Sequence, residues 1–328
     1  MLKLKAHHDR SNFARGLIKL IRSVVLAVLL LPAPAMAASP ADLLDAVDQL
    51  MVDVRLLHDA SFSDPTENKL LRSEALYPRH ILQMVRVVQQ KANTLAWLNG
   101  AETIAVGPTP THKVVPEDIL ANIEAVDWII DGVKPEFGVK ADARPEPRQE
   151  RPSFNEVYST LHHMSQLIVG LSVPGIVSNN IYMIVDSIVF ELEILANHYL
   201  KPIELKEHYM TFYFQAGNES ENRTKDLNDV FESSFELADA LDRLITLRPE
   251  LAPTGGILRP HRQDGHIDID HINYALNDML ADVLAMKATT GNLTQPPRKR
   301  LVSGTTPTKV FDRLQDALRL IEALTTKA

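Results

Sequence analysis

The chain has 328 residues, 45% hydrophobic and 23% charged, which is enough apolar material for one large or two ordinary domains and argues against global disorder. It has no cysteine, which excludes disulfides, thiolate metal sites, a cysteine nucleophile and covalent c-type haem. A formal net charge of −8 argues against general binding to DNA or anionic lipid.

Residues 1–37 read as an export signal. Lys3, Lys5, Arg10, Arg15, Lys19 and Arg22 form a basic leader, the apolar run Ser23–Leu31 follows, and Ala35-Met36-Ala37 supplies a small-x-small cleavage pattern. The run is shorter than the roughly 20 apolar residues that span a bilayer. The expected product is therefore a mature chain in a bacterial periplasm; the alternative is an uncleaved anchor. The leader holds six Lys/Arg and one Asp, so the mature chain keeps 28 basic and 41 acidic residues, a net charge of −13. No nucleic-acid partner is expected.

Beyond the leader the spacing predicts an all-α chain built from a tandem repeat of amphipathic helices. The first apolar residue of each helix is Leu43, Ile81, Ile119, Val157, Ile181, Val230, Ile272 and Val310. The first four stand 38 residues apart, as do the last two. Pro40, Pro78, Pro116 and Pro307 fall three residues before their anchors, at the first helical turn. Ser39, Ser153, Asp226, Asp268 and Thr306 are expected N-caps. An acid often precedes the anchor (Asp42, Asp118, Glu156, Asp229), where it complements the helix dipole. Apolar residues recur at +4, +7, +11 and +14, a heptad-like seam suited to helical bundles or a repeat array. The Pro-rich linkers of about 18 residues reach roughly 59 Å when extended. They are long enough to retrace a helix, so successive helices can run parallel.

The rhythm breaks after the fifth helix. Residues 201–225 hold an aromatic insert, and we place the division there, with helical repeat regions at 38–200 and 226–328. Tyr199, Tyr209, Phe212, Tyr213 and Phe214 cluster at this break, and departures from a repeat often mark its binding surface. Plugging a gap in the core is the simpler role for such rings.

His261, Asp264, His266, Asp268, Asp270 and His271 form the most ligand-like stretch, since imidazole with carboxylate suits zinc, iron or manganese. Helix capping accounts for both Asp268 and Asp270 without a metal. His162 and His163 are adjacent on a helix and so face about 100° apart, which does not suit one shared ligand. The motifs of P-loops, dinucleotide folds, nucleophile elbows, zinc proteases and EF-hands are absent. No enzyme activity and no cofactor is expected. The leading expectation is an exported helical binding or scaffolding module whose partner is another periplasmic or membrane protein. The alternatives are a metal-binding protein or metal-dependent enzyme at His261–His271, and a periplasmic small-molecule sensor.

Overall fold

The structure, a computed structural model, describes residues 38–61, 74–140, 145, 152–200, 224–261, 267–295 and 302–326. Among these residues there are eight α-helices and no strand. They are α1 (Pro40–Ser61), α2 (Pro78–Leu98), α3 (Pro116–Val133), α4 (Phe154–Gly170), α5 (Ser178–Tyr199), α6 (Leu227–Leu247), α7 (Ile269–Thr289) and α8 (Pro307–Thr326). Short 3-10 turns follow α3 at Lys134–Phe137 and α6 at Pro249–Leu251. No helix among the described residues is long and apolar enough to cross a membrane.

Each helix start is tied down by its own sequence. Ser153, Asp226 and Asp268 accept hydrogen bonds from backbone N–H groups of the first turn, as do Ser39 and Thr306. A second device is more widespread. In seven of the eight helices the third helical residue turns back to accept the N-cap N–H: Asp42, His80, Asp118, Glu156, Asn180, Asp229 and His271. The four acids expected before their anchors, Asp42, Asp118, Glu156 and Asp229, thus have a defined hydrogen bond as well as a dipole to complement. All eight anchor residues are buried, and so are the seam residues Ile123, Val126, Ile130 and Val133 of α3 and Val185, Ile188, Leu192 and Leu195 of α5.

The helices sort into two groups of four, each around its own apolar core. In the first, α1 packs on α3 and α4, and α2 packs on the same pair. In the second, α5 packs on α7 and α8, and α6 packs on the same pair. The pairing scheme is the same in both. The division expected at 201–225 would keep α5 with the first four helices, yet its apolar residues Ile181 to Ala196 belong to the second core. The bundle boundary falls instead at the short connection 171–177.

Hydrogen bonds between helix ends fix the directions. Ala38, before α1, donates to Glu117 in the first turn of α3. Asn155, in the first turn of α4, exchanges hydrogen bonds with Leu76 and Glu74 just before α2. His58, near the end of α1, donates to the Leu167 carbonyl near the end of α4. All four helices of the first bundle therefore run parallel. The second is alike: Thr305 before α8 reaches Asn179 at the start of α5, and Lys225 before α6 reaches Thr308 at the start of α8. At the far end Arg248, after α6, donates to the Leu324 carbonyl of α8.

Linker length explains this. The connections inside the bundles hold 16 to 27 residues, enough to retrace a helix of about 30 Å. The α2–α3 linker is strapped along α2 on its way back. Asn93 donates to and accepts from Ile104, and Arg86 donates to the Gly107 and Pro108 carbonyls. The α4–α5 connection, 171–177, has only seven residues and spends part of them on a turn at Leu171 and Ser172, where Ser172 adopts φ 66°. The chain cannot retrace α4 there, so α5 starts near where α4 ends and the second bundle runs opposite to the first.

Candidate binding cleft between the bundles

The bundles meet along α2 and α7, which are antiparallel. Charged and polar side chains lie between apolar ones along this seam. At one end Arg79 and His80, in the first turn of α2, both reach Asp282 in the later half of α7. Arg79 Nε donates to Asp282 Oδ1 at 2.7 Å, and His80 Nε2 donates to the same oxygen at 3.0 Å. Because His80 Nδ1 already accepts the Tyr77 N–H, Nε2 is the ring nitrogen left to donate. The remaining Asp282 oxygen accepts the Leu258 N–H at 2.7 Å. Arg79 completes its fork on the Thr254 and Gly256 carbonyls. A buried carboxylate with three partners of this kind is a clamp: it fastens α2, α7 and the 252–258 loop together.

Further along the seam, Tyr158 of α4 donates to the Asp278 carboxylate of α7. Tyr274 of α7 lies against His162 of α4, with ring centroids 4.3 Å apart, and is within 3.4 Å of Ser165 Oγ. Burial pushes the Tyr274 hydroxyl above its ordinary pKa.

Two adjoining cavities open beside the seam. The first, of about 410 Å³, is chiefly apolar; Pro78 and Leu82 of α2 and Ala281, Leu284, Ala285 and Ala288 of α7 form its walls. Tyr77, Arg79, Gln83 and Thr289 also border it, and two linkers, at 109–114 and 252–254, close it. The second, of about 280 Å³, is more polar than the first, although apolar side chains such as Val87, Ile184 and Leu280 share its lining. Arg86 and Lys91 of α2, Glu191 and Ser187 of α5, and Asn273 and Asn277 of α7 line it. Gln83, Thr109 and Leu284 border both, so the two are lobes of one cleft, in the size range of small-molecule sites. The Arg79–Asp282 clamp sets its shape, because it holds the 252–258 wall in place. Gly255 in that wall has φ +87° and sits so close to Tyr77 that an added Cβ would lie 1.9 Å from the ring carbon bearing the hydroxyl.

The polar lobe contains donors with spare capacity. Lys91 is 7% exposed, and its ammonium makes one long hydrogen bond, 3.4 Å to the Ser165 carbonyl. Burial lowers its pKa, with the Asp270 carboxylate acting in the opposite sense. Asn273 is 3% exposed; its Oδ1 accepts from Asn277, whereas its Nδ2 has no protein acceptor. Glu191 on the same lobe is neutralised by Lys287, which also donates to the Thr294 carbonyl.

The residues singled out in the sequence lie elsewhere. Tyr199 is the last residue of α5, with the Arg248 guanidinium 4.8 Å from its ring centroid, and packs on the second core. Tyr209, Phe212, Tyr213 and Phe214 are outside the described residues, as are Asp264 and His266. Asp268 and His271 bond each other's backbone N–H groups as the cap of α7. His261 lies 3.8 Å from Glu74. Asp270 is raised in pKa by burial, against the pull of Lys91. Among the described residues of this stretch, capping accounts for the bonds that Asp268 and His271 make.

One acidic cluster has ligand-like spacing. Asp53, Asp127 and Asp131 approach within 4.8 Å of one another. Lys134 stands among them, 2.8 Å from Asp53 and 2.7 Å from Asp131. Burial alone would lower the Lys134 pKa, but hydrogen bonds to Asp131 and Asp53 outweigh it and raise it. The cluster thus carries its own cation.

Sequence reasoning missed the cleft because its residues come from helices about 180 positions apart. One signal was present: α7 carries polar pairs at i, i+4, Asn273/Asn277 and Asp278/Asp282, on a helix buried nearly all round. Comparison with known protein families, with curated proteins and with solved structures finds none that matches this chain.

Proposed function

We propose that the chain is an exported, repeat-built binding protein that holds a small organic molecule with an apolar body in the cleft between its two bundles. The observation that carries this reading is the pair of adjoining lobes, about 410 and 280 Å³, walled by both bundles and by two return linkers. Bundle proteins commonly place small-molecule sites between helices. The 38-residue spacing of the helix starts at 40, 78, 116 and 154 supports a repeat origin for the scaffold. Binding fits better than catalysis, because Arg79, His80 and Asp282 spend their hydrogen bonds on one another and on the backbone. A sensor of this kind would signal through a partner protein at the membrane.

The test is native mass spectrometry of the protein purified from a bacterial periplasm, alongside Ala285→Trp, which fills the apolar lobe from α7. A small-molecule mass carried by the parent and lost in the variant supports the reading. A mass carried equally by both counts against it.

A further inference from the structure

The cleft's two lobes differ in chemistry, and the difference specifies a ligand class. The inference rests on the reading of the cleft as a binding site. We propose that the polar lobe receives the carboxylate of a singly charged amphipathic ligand, with Lys91 Nζ and Asn273 Nδ2 as its donors and the apolar lobe taking the ligand's hydrocarbon part.

Three observations support this. The Lys91 ammonium and the Asn273 amide nitrogen, both buried in this lining with unfilled capacity, are donors, so a partner that serves both is an acceptor. Leaving such groups buried and unmatched is costly, and an anion would satisfy both at once. The charge fits a monoanion. Arg86 and Lys91 give the lining two positive charges and Glu191 gives one negative, a net of +1. Including the flanking Lys287 and Asp270 adds one of each sign and leaves the net at +1. Finally, two of the five Arg86 N–H groups already donate to the Gly107 and Pro108 carbonyls, which ties its guanidinium to the α2–α3 linker. One ammonium and one amide suit a carboxylate better than a dianion.

Lys91 is legible as a ligand group for a further reason. A lysine that only braced α2 against α4 would be expected to carry short, multiple bonds. Its one 3.4 Å bond to a backbone carbonyl leaves donor capacity unused beside the lobe it lines, with the Asp270 carboxylate near enough to act on its charge.

The experiment is isothermal titration calorimetry on the full chain with three probes of equal length: decanoate, decanol and decyl phosphate. Decanoate is expected to bind at least about tenfold tighter than decanol, the gain of one charge-assisted hydrogen bond. Lys91→Met should remove that preference, and Lys91→Arg should keep part of it. Asn273→Leu should weaken decanoate selectively. Circular dichroism confirms that each variant is folded. Equal affinity for decanoate and decanol would overturn the carboxylate assignment and leave the cleft reading standing. Tighter binding of decyl phosphate would overturn the single-charge assignment. If none of the three binds saturably, the cleft reading itself falls.

Discussion

Arg79 and Asp282 are 203 residues apart in sequence and 2.7 Å apart in space, and their buried ion pair links the two bundles. Both side chains are nearly inaccessible to solvent, at 8% and 0%. A pair of this kind adds little net stability over well-packed apolar residues, but breaking one half of it is expensive. It also specifies how the bundles register, because Asp282 simultaneously holds His80 and the Leu258 N–H.

Asp282→Ala is therefore expected to cost about 3–5 kcal/mol, read as a lowered urea midpoint. The double variant Arg79→Met with Asp282→Leu should cost clearly less than the sum of its parts, since no charge is then left unpaired. Additive losses would show that the two residues do not act as a unit.

Gly255 should tolerate no side chain. An alanine there meets the Tyr77 ring at 1.9 Å and must adopt φ near +87°. The expected loss is on the order of 2–3 kcal/mol by thermal or urea unfolding. Adding Tyr77→Ala should recover the steric share and leave the backbone share. Full recovery in the double variant would show that conformation plays no part.

Lys91→Met is expected to stabilise the unliganded chain at pH 7 and to lose that advantage as the pH approaches the ordinary lysine value of about 10.4. The sign follows from burial, which lowers the folded-state pKa of Lys91. Between the folded and unfolded values the unfolded chain binds more protons, so the parent's stability rises with pH there. Asp270 opposes the shift, and Arg86 and Glu191 line the same lobe in both proteins, so the difference between parent and variant isolates Lys91. Urea midpoints at pH 7 and pH 10 decide it; a gap that does not narrow contradicts the assignment.

Asp268→Ala is expected to cost about 1 kcal/mol, the usual loss of an N-cap, with Asp268→Ser retaining most of the stability. Asp268 accepts from the His271 N–H at 2.9 Å, and His271 accepts in return. Metal analysis separates capping from ligation. Stoichiometric zinc, iron or manganese in the parent that vanishes with Asp268→Ser would favour ligation instead.

Much of the fold was legible because it rests on local rules. Proline at a first helical turn, a capping residue before it and apolar residues every three or four positions located all eight helices, and linker length allowed parallel neighbours. The bundle boundary was misplaced because the aromatic insert at 201–225 is a strong compositional signal, whereas the actual change of direction occupies seven ordinary residues, 171–177. The cleft was hidden for a different reason. A lysine between Val88 and Ala92, or an asparagine after Ile272, looks like part of a solvated face until a second bundle covers it. That covering is a long-range property, and Lys91 and Asn273 acquire meaning only when α2 and α7 are set side by side.

The most direct measurement is anomalous diffraction from crystals of the full chain grown with 10-bromodecanoate. The account predicts one bromine peak in the apolar lobe between Leu82 and Ala285, with the carboxylate density within hydrogen-bond reach of Lys91 Nζ and Asn273 Nδ2. Bromine bound at another surface, with the cleft filled only by water, would contradict it.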